Sequence, residues 1–96
     1  MILEGKIIAV IGGNGLIGME TVSSIVKHGG TVISGSRSGS LASSLLDNFS
    51  DEECKRVHSA KMDVNIPESV EKFFKDIMQR HGQCNGVINL SFPKNV

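Results

Sequence analysis

Lys6-Ile7-Ile8-Ala9-Val10-Ile11-Gly12-Gly13-Asn14-Gly15-Leu16-Ile17-Gly18 decides the reading of this chain. A continuous apolar run, Ile7 to Ile11, ends abruptly in glycines, and a helical pattern follows to His28. An apolar run without alternation reads as a strand buried on both faces, as parallel strands are. Glycine turns the backbone sharply and places no side chain between it and a ligand. The helix start then offers unpaired N–H groups and a partial positive charge, which suit a pyrophosphate. The spacing Gly12, Gly15, Gly18 carries weight because a strand precedes it and a helix follows. Gly12, Asn14, Gly15, Leu16, Ile17 and Gly18 are therefore candidate dinucleotide contacts.

Outward from this turn, apolar and amphipathic segments alternate. Gly18 to His28 is a helix with Val22, Ile25 and Val26 on one face, stopped by Gly29-Gly30. Thr31 to Ser34 is a short second strand, and Gly35 to Ser40 a loop. Leu41, Leu45, Leu46 and Phe49 have helical spacing. Ser50 to Lys55 reads as a charged surface connection. Arg56 to Met62 holds a weakly apolar third strand. Pro67 suits a helix start, and Gly82 a helix stop. Between them Val70, Phe73, Phe74, Ile77 and Met78 form an apolar stripe. Val87 to Leu90 reads as a fourth strand. This order predicts one α/β unit over residues 1–96: a partial Rossmann-type parallel sheet, β-α-β-α-β-α-β. Right-handed crossovers give the strand order 3-2-1-4, with the ligand at the carboxyl ends where strands one and four diverge.

Composition narrows the function. The 96 residues carry ten basic and ten acidic side chains. Without a basic cluster, a nucleic-acid or membrane surface is disfavoured. No apolar stretch approaches the ~20 residues of a membrane span. The opening residues lack the pattern of a secretion signal, so a cytoplasmic location is expected. Cys54 and Cys84 read as free thiols. His28, His58 and His81 are scattered, without metal-ligand spacing, and no metal site is expected.

The end of strand two bears on the cofactor. An acidic residue there would hold the ribose hydroxyls of NAD. This chain instead offers Ser34-Gly35-Ser36-Arg37-Ser38. Arginine forms charge-assisted, often bidentate bonds to phosphate. Ser36, Arg37 and Ser38 therefore favour the 2′-phosphate of NADP(H) over NAD(H).

Taken together, Leu3-Glu4-Gly5-Lys6, the glycine turn, Ser36-Arg37, Asp63-Val64 and Val87-Ile88-Asn89 resemble the N-terminal half of a short-chain dehydrogenase/reductase. The resemblance runs over nearly the whole chain. It implies that Asp63 and Val64 flank the adenine, with Asp63 bonding its amino group. It also implies that Asn89, Leu90 and Ser91 lie along the cofactor's ribose side. The chain departs from the family's commonest turn, with Ile11 in place of a threonine and Leu16 at the third motif position. Ile88-Asn89-Leu90-Ser91 stands where the family usually has Asn-Asn-Ala-Gly. The family's catalytic Tyr-x-x-x-Lys helix has no counterpart, because the sequence contains no tyrosine. No catalytic residue is assigned, and the chain alone is expected to be silent. The complete enzyme of this family transfers hydride between nicotinamide and a carbonyl or alcohol carbon. Two alternatives are a non-catalytic dinucleotide sensor and a fragment of a nucleotide-sugar epimerase. The epimerase reading rests on the glycine spacing. Self-association is expected through the open edge of strand four.

Overall fold

The computed structural model describes residues 2–12, 16–41 and 43–90. Four strands form one parallel sheet: β1 (Ile7–Ile11), β2 (Thr31–Ser36), β3 (Val57–Lys61) and β4 (Gly86–Asn89). Their order is β3-β2-β1-β4, as the alternation of segments predicts. Registers such as Ala9 opposite Ile33 and Val87 put each strand's carboxyl end on the same side of the sheet. Helix α1 (Leu16–Lys27) follows β1. Two short helices, α2 (Ser43–Leu46) and α3 (Asp51–Cys54), join β2 to β3, and α4 (Pro67–His81) joins β3 to β4. Among the described residues no helix is long and apolar enough to cross a membrane.

Alternation along the strands splits the core into two layers. Val10 and Val32 pack with Val22, Ile25 and Val26 of α1 and with Leu45 and Phe49. Ala9, Ile11 and Ile33 face the other way and pack with Met62 and with Phe73 and Ile77 of α4. The reversal from β3 back to β4 carries α4 across the opposite face of the sheet, as right-handed crossovers require. Within the stripe on α4, Phe73 and Ile77 are buried, whereas Met78 is half exposed. Pro67 stands at the helix start, and Gly82 closes it at φ 74°, a left-handed cap that glycine adopts without strain.

Several boundaries differ from the sequence expectation. The helix foreseen from Leu41 to Phe49 is reduced to the single turn of α2. The segment read as a surface connection, Ser50 to Lys55, contains α3 instead. Ser50 accepts from the Glu53 N–H, and the Glu53 carboxylate accepts from the Ser50 N–H, a reciprocal capping box. Its Ser-x-x-Glu spacing is local chemistry that a search for apolar periodicity passes over. Strand β2 runs two residues further than expected, because Gly35 and Ser36 pair with Ala60 and Lys61. A smaller shift places β4 at Gly86–Asn89, one residue earlier than the apolar run implied.

Side chains pin the end of the sheet away from the carboxyl edge. Asn85 Oδ1 accepts from the Ile7 N–H at 2.8 Å, while its own N–H donates to the Ile7 carbonyl at 2.7 Å. Arg56, just before β3, donates from Nη1 to the carbonyls of Val26 and Gly30 at 2.9 and 2.8 Å. Its Nε and Nη2 grip both carboxylate oxygens of Glu52 at 3.0 Å. One guanidinium thus ties together the end of α1, the start of β2 and α3.

Candidate functional site

At the carboxyl edge, β1 ends in Gly12, whose φ of 85° lies in the left-handed region. The Gly12 N–H donates to the Gly35 carbonyl at 2.9 Å, so the turn leaves the sheet braced on β2. The Leu90 N–H donates to the Ile11 carbonyl at 2.8 Å, which draws the end of β4 beside the same turn. A cleft of about 150 Å³ opens here, lined by Ile11, Gly12, Gly35, Ser36, Arg37, Met62 and Val64. It adjoins a larger groove of about 610 Å³ over the end of β3 and the start of α4, to which Arg37 and Met62 also contribute.

The structure gathers Gly12, Ser36, Arg37, Asp63 and Val64 of the foreseen residues around the cleft and its adjoining groove. Ser36 is the last residue of β2, the position where an acid would hold ribose hydroxyls. Its Oγ accepts from the Gly39 N–H at 3.2 Å and lies 3.3 Å from Ser38 Oγ. Both hydroxyls thus shape the loop around Arg37. Arg37 is exposed at the cleft mouth and makes no ion pair or hydrogen bond among the described residues. Val64 is half buried against the α4 layer and lines the cleft. Asp63 lines the adjoining groove. Its Oδ1 accepts from the Asn65 N–H at 2.9 Å, while Ser69 Oγ accepts from the Asp63 N–H at 2.9 Å. Asp63 thus closes a local turn with Asn65 ahead of α4, whose N-cap residue is Ile66.

Other foreseen residues lie apart. Gly18 is buried on the inner face of α1. Leu16 and Ile17 are largely exposed, and Leu16 lines a groove with Met19, Ser44 and Leu45 rather than the Arg37 cleft. Asn89, opposite Ile11, is exposed, and Leu90 packs against the α1 layer. Asn14, Gly15 and Ser91 fall outside the described residues.

Sequence reading missed the cleft's floor. Met62 is buried and contributes a wall, and Gly35 lets the Phe73 ring approach the sheet. A Cβ on Gly35 would lie 2.9 Å from that ring. The signal was available in part, since Met62 is an apolar residue directly before Asp63, just past the end of β3.

Comparison with known proteins fits this geometry. The family described as short chain dehydrogenase matches residues 6–91. The short-chain dehydrogenase/reductase drtF of Aspergillus calidoustus is 32% identical over 88 residues, 91% of this chain and 28% of that protein. Among solved structures, the Cj0485 dehydrogenase superposes with a TM-score of 0.82 at 19% identity, over 97% of this chain and 35% of the other. An alcohol dehydrogenase from the archaeon Thermococcus sibiricus, complexed with 5-hydroxy-NADP, superposes with a TM-score of 0.64 at 25% identity. That match covers 85% of this chain and 35% of the other. The chain therefore spans about a third or less of the length of these relatives. With its strand order, glycine turn and residues 6–91 all in agreement, the chain belongs to the short-chain dehydrogenase/reductase family of NAD(P)-binding oxidoreductases.

Proposed function

We propose that residues 1–96 form the dinucleotide-binding half of a reductase and that they take NADP(H) in preference to NAD(H). The observation that carries this reading is Arg37. It is an exposed guanidinium without an acidic partner among the described residues, at the mouth of a cleft whose β2 end is a serine. A carboxylate at that strand end would repel a 2′-phosphate, whereas a guanidinium forms charge-assisted bonds to it. Ser36 and Ser38 hold the loop and add hydroxyl donors. Asp63 Oδ2 and Val64 would flank the adenine, and the Gly12 turn would approach the pyrophosphate.

When bound, the cofactor supplies or accepts a hydride. The chain's own residues bind and orient it. The acid/base group and the substrate pocket lie outside these 96 residues, which contain no tyrosine. The reaction served is therefore hydride exchange with a carbonyl or alcohol carbon, and this chain alone gives no turnover. Free Cys54 and Cys84 fit a reducing, cytoplasmic setting.

The test is a fluorescence titration of the chain with NADPH and NADH. NADPH should bind more tightly, and Arg37→Ala should remove most of the difference. One charged hydrogen bond is worth roughly 1.5–3 kcal/mol, about ten- to a hundredfold in affinity. Equal or tighter NADH binding by the unmodified chain would overturn the preference. We also propose that β4 is a site of self-association. Among the described strands it pairs only with β1, and Val87 on it is half exposed. Sedimentation that stays monomeric across a concentration series would refute this.

A further inference from the structure

We propose that His58 and His81 form a chelating pair for a late first-row divalent cation such as Zn²⁺, on the α4 face and away from the dinucleotide cleft. The two residues are far apart in sequence. The fold sets β3 beside the last turn of α4, and their ring centroids stand 5.3 Å apart with planes inclined at 54°. A zinc–nitrogen bond of about 2.1 Å places each ring centre a little over 3 Å from the ion. A tetrahedral angle then separates the two centres by about 5 Å. The observed centroid spacing has room for two imidazoles to share one ion.

The surroundings favour this use. Both rings line a cavity of about 190 Å³ whose apolar walls are Ile33, Phe73 and Ile77. The same cavity is lined by Asp76 and Arg80, one charge of each sign. No third His, Cys, Asp or Glu completes a cluster among the described residues, so water would complete the coordination of a bound ion. Imidazole ligands suit zinc, copper and nickel. Because one ligand sits on the edge strand β3 and the other on α4, a bound ion would clasp strand to helix. Any ion that binds only the folded state stabilises it.

The test titrates Zn²⁺ alone into the Cys54→Ser/Cys84→Ser chain, which removes competing thiols, while the imidazole resonances are followed by NMR. The His58 and His81 signals should shift together and saturate near one equivalent, with His28 unmoved. Calorimetry should show His58→Ala and His81→Ala each weakening the association by about tenfold or more, as loss of even an outer partner of a metal ligand does. His28→Ala should bind as the parent does. The proposal is overturned if only one of the two rings shifts. It is equally overturned if neither responds at millimolar Zn²⁺, or if either single variant binds undiminished. The resonances are read on chains with all three histidines intact, so a misfolded variant cannot decide the question.

Discussion

Replacing Arg56 should cost this chain a large share of its stability, and the structure says which contacts carry the loss. Nη1 serves two backbone carbonyls, Val26 at 2.9 Å and Gly30 at 2.8 Å, while the other nitrogens hold Glu52. The Glu52 side chain is 72% exposed, so its ion pair contributes little. The carbonyl bonds differ, because only one-fifth of the Arg56 side chain remains accessible and the carbonyls belong to packed backbone. A hydrogen bond to a charged group is worth roughly 1.5–3 kcal/mol. Allowing for water that enters behind a truncated side chain, Arg56→Ala should lose about 2–3 kcal/mol in all. For a domain of this size that is a fall in Tm of roughly 10–20 °C. Arg56→Lys keeps the charge but not the planar fork, and should lose a large part of the same amount. Urea unfolding followed by circular dichroism gives the values, with Glu52→Gln as the control that removes only the exposed pair. The reasoning fails if Arg56→Ala and Glu52→Gln have the same midpoint. It also fails if Arg56→Lys is indistinguishable from the parent.

Two further outcomes follow from named contacts. Gly35→Ala drives a Cβ to within 2.9 Å of the buried Phe73 ring, and overpacking of this kind costs about 1–3 kcal/mol. Because Gly35 lines the cleft, dinucleotide affinity should fall along with the unfolding midpoint, and an unchanged value of both would show that α4 yields freely. Glu53 is held below its ordinary pKa of 4.5 by the Ser50 N–H and then by Lys27. A carboxyl lowered in the folded state stabilises above its unfolded pKa, and that contribution is lost as pH falls through the folded value. Glu53→Gln should therefore unfold more readily near neutral pH and show a flatter loss of stability below about pH 4.5. Parallel acid-unfolding curves for the two chains would contradict the capping box.

Much of this protein is legible without coordinates, for local reasons. A five-residue apolar run ending in glycines reads as a strand covered on both faces, so Ile7 to Ile11 marks β1 and, with it, a parallel sheet. Pro67, Gly82 and the stripe between them bound α4 because capping and 3.6-residue periodicity act within a few residues. The handedness of the crossovers then leaves the strand order 3-2-1-4. Arg37 could be chosen because the end of β2 is a fixed station in such a sheet, and a missing acid there shows in the sequence.

Other features are matters of distance between residues remote in sequence. Periodicity failed between Leu41 and Cys54, where the α1 layer buries Leu45 and Phe49, leaves Leu41 and Leu46 partly covered, and a capping box starts a separate turn. Gly35 reads as loop, yet becomes strand because Ala60 pairs with it and Phe73 needs the space of its missing side chain. Arg56 reads as one charge among many until the fold brings two carbonyls beneath it. His58 and His81 have no meaningful spacing in the sequence. Only the packing of α4 across β3, set by the burial of Phe73 and Ile77, brings their rings to 5.3 Å.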